Sequence, residues 1–144
     1  DTYLKATHPN NFGKLVVYRQ GEECDASPIQ YLERWHLHNV MFGDDIEFLG
    51  VVDSPAGMRM MIEQPAIAGF PADEIQIRSF FEDSGWQAFQ SDGNLAFYDS
   101  KTHIAISDTH PGNLILMANG VFAPIDIRVQ KLTDPEVLAV KRLL

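Results

Sequence analysis

Between Trp86 and Ile127 the chain alternates short apolar runs with clusters of turn-forming residues, and this alternation limits its possible folds more than any other feature. Runs of this length are typical of strands, and clusters of Asp, Asn, Gly and Ser are typical of tight turns. Consecutive strands joined by such short connections pair antiparallel. We therefore predict a second half made of hairpins, with strands at 86–89, 95–98, 104–106, 114–116 and 122–127.

The first half combines strands with one long helix. Ser27 supplies an N-cap, Pro28 fits the first helical position, and Gly43 supplies a stop. Apolar residues recur at approximately helical spacing between them, so we predict a helix over 28–42. Strand-type runs separated by turn formers predict a strand pair at 2–7 and 15–19 and a hairpin at 46–52 and 58–62.

Two shorter helices complete the predicted elements. One begins at Pro71 and ends near Ser84, and the other runs from Pro135 to Arg142 with Asp134 as its cap. Strands and helices are thus mixed without regular alternation, and a chain of 144 residues with 45% hydrophobic residues can bury one core. The prediction is a single α+β domain.

Charge and composition exclude several classes of partner. Eleven Lys and Arg residues against twenty Asp and Glu residues give a net charge of −9, which disfavours nucleic acid and anionic membrane surfaces. No apolar run has the length of a membrane span or of a signal-peptide core. Cys24 is the only cysteine, so we expect no internal disulfide and a cytoplasmic location. Because the chain begins at Asp1 without methionine, we expect it to be part of a longer one.

Three polar residues stand beside predicted strand ends in the second half. Asp108 and Asn113 flank one turn, and Asp126 lies at the end of the hairpin that follows. Pairing across that hairpin would bring Asn113 close to Asp126, and such oxygen ligands could hold Mg²⁺ against phosphate while a carboxylate orients a hydroxyl. The alternative is that these residues only close turns by bonding to the backbone.

The segment from Asp108 to Asn113 resembles the D-x-x-x-x-N core of the kinase catalytic loop, and Asp126 stands where kinases carry the metal-binding Asp of D-F-G. Together with phrases such as Tyr31-Leu-Glu, Gln64-Pro and Pro124-Ile-Asp, the sequence is similar to the kinase-like domain of polyvalent proteins of phages and conjugative elements. The resemblance implies that Asp108 accepts the hydroxyl proton and that Asn113 and Asp126 bind magnesium.

The same resemblance implies a nucleotide site and a reduced kinase fold. Lys5 would contact the ATP phosphates and Glu33, on the long helix, would be its ion-pair partner. Residues 1–64 would form a part like the N-lobe, a small antiparallel sheet with one long helix. Residues 65–144 would form a truncated part like the C-lobe, rich in hairpins and carrying the catalytic-type loop. The nucleotide would lie between them, near Gln64 and Pro65.

Departures from the kinase pattern keep more than one function open. Ile106-Ser107 replaces the His-Arg that precedes the catalytic Asp, Ile127-Arg128 replaces the Phe-Gly after the metal-binding Asp, and no glycine-rich loop precedes Lys5. The leading hypothesis is an ATP- and Mg²⁺-dependent phosphotransferase acting on a protein hydroxyl or on a small-molecule hydroxyl. The alternatives are a nucleotide-binding pseudokinase or interaction module of a larger mobile-element protein, and a purely structural domain.

Overall fold

The computed structural model describes all 144 residues and contains three helices and three small antiparallel sheets. The predicted α+β class is therefore confirmed. The helices are α1 (Pro28–Phe42), α2 (Glu74–Asp83) and α3 (Asp134–Lys141), and one turn of 3-10 helix covers Pro111–Asn113. The strands are β1 (Thr2–Ala6), β2 (Glu47–Ser54), β3 (Gly57–Pro65), β4 (Phe70–Pro71), β5 (Gln87–Ser91), β6 (Asn94–Asp99), β7 (Ile104–Ser107), β8 (Leu114–Leu116), β9 (Phe122–Pro124) and β10 (Arg128–Lys131).

The first sheet has the order β1-β3-β2, and α1 packs on one of its faces. Helix α1 begins and ends where the sequence predicts, because its local signals are complete. Ser27 and Gln30 form a capping box, and Gly43 takes the left-handed conformation that ends the helix. The core between helix and sheet is a cluster of six buried side chains: Phe12, Tyr31, Trp35, Ile46, Met60 and Ile62.

The predicted strand pair at 2–7 and 15–19 is wrong in its second member. Strand β1 pairs with β3, and the segment that follows forms no strand. The N–H groups of Val16 and Val17 instead donate to Oε1 of Gln130, at 2.9 Å and 3.1 Å. Val16 is 1% exposed. A buried side chain far along the sequence thus satisfies the backbone groups that a partner strand was expected to bond.

The second half is built around the sheet β10-β7-β6-β5, with α2 on one face and α3 on the other. Strands β6 and β7 are therefore buried on both faces, and β7 is buried at all four residues. The α2 side contains Phe81, Phe97 and Ile106, and the α3 side contains Tyr98 and Val137. This doubly covered sheet gives rigid support to the loop that follows β7.

The small third sheet has the order β4-β8-β9, and its hairpin follows the predicted pairing. The predicted strand 122–127 is too long, because the backbone turns at Asp126 (φ +53°) and a separate strand, β10, begins at Arg128. The starts of the two shorter helices also differ from the prediction. Helix α2 begins at Glu74, after the cap residue Asp73, instead of at Pro71, and α3 is capped by Thr133 in place of Asp134.

The long helix connects the two halves. The Phe42 ring, at the end of α1, lies 6.2 Å from Phe81 and 6.5 Å from Trp86, measured between ring centroids. Aromatic packing therefore fixes α1 against the second half as well as against the first sheet. None of the three helices has the length and apolar character that crossing a membrane requires.

Candidate functional site

The loop between β7 and β8 is closed by one side chain. Nδ2 of Asn113 donates a hydrogen bond to the backbone oxygen of Asp108 at 2.8 Å. The backbone N–H of Asn113 donates to the backbone oxygen of His110, also at 2.8 Å. Asn113 is only 6% exposed, so these bonds are shielded from water and fix the amide group. Because Nδ2 is engaged, Oδ1 of Asn113 is the atom left to accept or to ligate.

Asp108 presents its carboxylate at the surface of this loop. Its backbone has φ +61°, a left-handed conformation that Asp and Asn adopt more readily than most residues, and its side chain is 39% exposed. Nδ1 of His110 accepts from the N–H of Gly112 at 3.1 Å, so the proton of the neutral imidazole belongs on Nε2. That nitrogen lies 3.6 Å from Oδ1 of Asp108. His110 therefore shapes the turn and places a polarised N–H beside the carboxylate.

Asp126 is carried to the same place by the next hairpin. The pairing of β8 with β9 continues through one more bond, from the N–H of Ile125 to the oxygen of Asn113 at 2.8 Å. Asp126 follows immediately, with φ +53°. The structure therefore brings together the ends of the two segments that carry Asn113 and Asp126, as the hairpin pattern predicted.

Lys5 reaches this site from the first sheet. Its Nζ lies 2.5 Å from Oδ1 of Asp126, and the two side chains are 36% and 37% exposed. Lys5 lies in β1, an edge strand of the first sheet, whereas Asp126 lies beyond the third sheet. The ion pair therefore crosses the boundary between the two halves of the molecule. Both partners remain accessible to a ligand.

The predicted ion pair between Lys5 and Glu33 is not formed. Glu33 is exposed on α1, and the next residue, Arg34, occupies the inward position. Arg34 donates from Nη2 to the backbone oxygen of Asp126 at 2.7 Å and from Nε to that of Ile127 at 3.0 Å. The rotation of α1 about its axis, which the buried residues Tyr31 and Trp35 set, decides which of two adjacent charged residues faces the site.

Arg34 is the residue at this cavity that the sequence did not single out. Burial lowers the pKa of its guanidinium, and the nearby carboxylate of Asp126 opposes this effect. The group stays protonated, because arginine does not lose its proton in proteins. Its position three residues after Tyr31, on the side of α1 marked by large aromatic residues, is the one signal that could have found it.

A cavity of about 460 Å³ lies against these groups. Lys5, Asp108, Asp126 and Arg34 line it, together with most of the segment 6–14 that follows β1. Its size lies within the range of small-molecule sites. Four cationic side chains, those of Lys5, Lys14, Arg34 and Arg128, line this cavity against two carboxylates, those of Asp108 and Asp126. An anionic ligand is the type that this lining favours.

Gln64 and Pro65, which were expected near the nucleotide, end strand β3 outside this lining. Gln64 is 3% exposed, and its Oε1 is buried without a hydrogen-bond partner. The cavity lies instead at the opposite end of β1, next to Ala6 and Thr7. The expected contact of the Gln64-Pro65 segment with a ligand is therefore not part of the cavity that contains Lys5.

The oxygen atoms at this site suit magnesium more than a transition metal. No group of three or more His, Cys, Asp or Glu side chains has the arrangement of a metal site. Magnesium does not need one, because it usually takes one or two carboxylates and completes its shell with water and substrate phosphate. The Asp126 carboxylate and Oδ1 of Asn113, which its Nδ2 bond orients, are oxygen donors of that kind, and they lie on segments joined by the bond from Ile125 to Asn113.

Comparison with known families gives one match. Residues 8–133 match the family described as serine/threonine/tyrosine kinase found in polyvalent proteins. Glu33, Asp108, Asn113 and Asp126 lie within the matched residues, and Lys5 lies just before them. No curated protein and no solved structure matches the chain.

Proposed function

Because the chain belongs to the serine/threonine/tyrosine kinase family found in polyvalent proteins, we propose that it transfers the γ-phosphoryl group of magnesium-bound ATP to a hydroxyl group. The observation that carries the proposal is the meeting of Lys5, Asp126 and Asp108 at one cavity, with Asp108 on the loop that Asn113 closes. Phosphoryl transfer depends mainly on positioning and charge stabilisation, and this arrangement offers both.

Each residue has a distinct role in this proposal. Lys5 binds phosphate oxygens, since a lysine ammonium group is a compact positive charge with three donors. Asn113 and Asp126 would hold magnesium, which, when bound, would neutralise the negative charge that develops on the phosphate during transfer. Arg34 positions Asp126 by bonding to the backbone oxygens of Asp126 and of the next residue, Ile127.

Asp108 is the proposed proton acceptor. Its carboxylate is accessible, and it lines the cavity that contains Lys5 and Asp126. The acceptor oxygen forms a bond to the γ-phosphorus as the bond from phosphorus to the β,γ-bridging oxygen breaks. ADP leaves with that electron pair, and the hydroxyl proton passes to the Asp108 carboxylate. The acceptor is a serine, threonine or tyrosine of another protein or a small molecule.

We also propose that residues 1–144 act as a single kinase-like unit with a boundary near residue 64. The first sheet and α1 lie before this boundary, and the other two sheets lie after it. The ion pair between Lys5 and Asp126 joins the two parts at the proposed site. The division is not strict, because the backbone N–H groups of Val16 and Val17 in the first part bond to the side chain of Gln130 in the second.

A second candidate is a nucleotide-binding module without turnover, carried in a larger protein. The direct pairing of Lys5 with Asp126 favours this candidate. The Asp126 carboxylate neutralises the ammonium group that ATP phosphate would need, and the Lys5 ammonium group neutralises the carboxylate that magnesium would need. The exposure of Glu33 adds to this, since no carboxylate on α1 draws Lys5 away from Asp126. The two candidates share a nucleotide site and differ in whether phosphate is transferred.

Isothermal titration with a non-hydrolysable ATP analogue, with and without Mg²⁺, tests both candidates. The proposal expects binding that requires Mg²⁺ and is lost in Asp126→Asn. Asp53→Asn, which changes an exposed carboxylate in β2, is the matched control and should bind as the unaltered protein does. If the folded protein binds no ATP analogue, both candidates are wrong. If it binds the analogue but releases no ADP from ATP in the presence of acceptors, the nucleotide-binding module is the remaining candidate.

A further inference from the structure

A second cavity, of about 650 Å³, lies on the other side of Asp108. It shares Asp108 and Arg128 with the cavity that contains Lys5 and otherwise has a separate lining. Its walls come from the turn between β5 and β6, from the start of α2, from residues 107–111 at the end of β7 and after it, and from part of the segment 16–23. The proposed proton acceptor thus stands in a wall common to two cavities.

The lining of this second cavity suits a polar ligand that carries no negative charge. Only four of its seventeen residues are hydrophobic, and the others include Ser91, Asn94 and Gln90, which offer hydroxyl and amide groups. Its two arginines already have acidic partners, since Arg78 pairs with Glu82 at 2.6 Å and Arg128 with Glu23 at 3.2 Å. Three carboxylates, Glu23, Glu74 and Asp108, line the cavity against these two arginines, so its charge disfavours an anion.

Ser107 supplies an independent sign of a ligand. It lies in the cavity wall next to Asp108, it is 7% exposed, and its Oγ is buried without a hydrogen-bond partner. A buried hydroxyl that makes no hydrogen bond is costly, so such groups are usually satisfied by a partner. A hydroxyl of a bound molecule can donate to this oxygen or accept from it.

The backbone after Asp126 argues against an extended peptide as the acceptor. Arg128, two residues beyond Asp126, is already paired with Ser107 in the β10–β7 ladder. The chain therefore turns directly into a central sheet and leaves no loop between Asp126 and β10 along which a peptide could lie. A polar cavity of this volume is instead the type of site that small molecules occupy.

From these observations we propose that the second cavity binds the phosphate acceptor and that this acceptor is a small neutral polyol or sugar. One of its hydroxyls would lie at Asp108, and the others would bond to the amide and hydroxyl groups of the wall. The inference rests on the proposed function, since it assigns the acceptor of that reaction. The acceptor O–H bond breaks, its oxygen bonds to the γ-phosphorus of ATP, and ADP departs; Asp108 takes the proton and releases it to solvent.

The test uses the full chain with Mg²⁺ and ATP and measures ADP release and phosphorylated product with glucose, ribose, myo-inositol and glycerol as probes. We expect at least one probe to raise ADP release above the rate with water and to yield a phosphate ester. Ser107→Ala should raise the KM for that probe about fivefold, as the loss of one hydrogen bond predicts, with the affinity for the ATP analogue unchanged.

A variant that fills the cavity, compared with one on the same strand outside it, distinguishes an effect on acceptor binding from an effect on folding. Gln90→Trp places a large ring in the cavity wall and should abolish probe-dependent ADP release, whereas Gln87→Trp, on the same strand but outside the lining, should not. Binding of the ATP analogue by an otherwise inert protein, or phosphorylation of a Ser, Thr or Tyr peptide instead of every probe, overturns the inference and leaves nucleotide binding intact. Failure of the ATP analogue to bind overturns both proposals.

Discussion

Lys5 and Asp126, 121 residues apart in the sequence, meet across the boundary between the two halves of the molecule, with Nζ 2.5 Å from Oδ1. Both side chains are more than a third exposed, so the pair contributes little to stability by itself. Its importance lies in position, because it places a cation and a carboxylate at the mouth of the same cavity. A phosphate group and a divalent cation could each take over one partner of the pair.

Removing the charge of Lys5 should weaken nucleotide binding. We expect Lys5→Met to raise the Kd for a magnesium-bound ATP analogue by about tenfold or more, because a charge-assisted hydrogen bond to phosphate is lost. Calorimetry measures the change. Lys101→Met, at an exposed position far from the cavity, is the control. Equal affinities in the two variants would remove Lys5 from the phosphate site.

Asp108 should affect transfer and leave binding unchanged. Asp108→Asn keeps a residue that accepts φ +61° and removes the proton acceptor, so the fold should be retained. We expect the rate of phosphate transfer to fall by about a hundredfold or more, the usual contribution of a general base. Single-turnover kinetics and a parallel titration with the ATP analogue separate the two effects. A variant as fast as the unaltered protein would contradict the assignment.

Arg34 should matter more for stability than its surface neighbours. Arg34→Ala removes two charge-assisted hydrogen bonds to the backbone around Asp126 and leaves half-buried carbonyl groups unpaired. We expect a loss of about 2–4 kcal/mol in the free energy of unfolding, measured in urea. Arg78→Ala breaks an exposed pair with Glu82 and should cost less than about 0.5 kcal/mol. Similar decreases in the free energy of unfolding for the two variants would show that the Arg34 contacts stabilise the fold no more than an exposed ion pair does.

The acid limb of the stability curve should depend on Asp44. Its side chain is 7% exposed, and Oδ2 lies 3.2 Å from Nδ1 of His38. Burial raises the pKa of Asp44, but the His38 contact, the N–H of Asp45 and the charge of Lys5 outweigh it and hold the pKa below its usual value. The unfolded chain therefore binds this proton more tightly. The stabilisation is present above the unfolded pKa of about 4 and is lost as the pH falls through the folded value.

Urea unfolding at a series of pH values from 7 to 3 measures this dependence. We expect the free energy of unfolding to fall less steeply below pH of about 4 in Asp44→Asn than in the unaltered protein. Asp45→Asn, at an exposed neighbouring position, should keep the original steepness. Parallel acid limbs in the unaltered protein and Asp44→Asn would show that Asp44 does not carry the effect.

Elements with complete local signals could be predicted from the sequence, and those held by distant contacts could not. Helix α1 is specified by Ser27, Pro28 and Gly43, which act within the helix itself. The segment around Val16 has the apolar composition of a strand, yet its N–H groups bond to Gln130, more than a hundred residues away. No local pattern contains that information, because it depends on how β10 is placed.

The candidate site shows the same division. The spacing of Asp108, Asn113 and Asp126 follows from one loop and one hairpin, so the sequence could indicate that they meet. The partner of Lys5 depends on the rotation of α1 and on the packing of two halves, and there the prediction of Glu33 was not met. Adjacent residues on a helix point about 100° apart, so a small change in rotation exchanges Glu33 for Arg34.

The left-handed backbone at Asp108 and Asp126 restricts how this site can change over evolutionary time. Asparagine and glycine tolerate such angles, whereas alanine, valine or leucine would strain the chain as well as remove a carboxylate. A relative that abandons the chemistry but must keep its shape therefore has few residues open to it at these two positions. A folded relative with asparagine or glycine at both positions would therefore be one that has kept the loop conformation and lost the reaction.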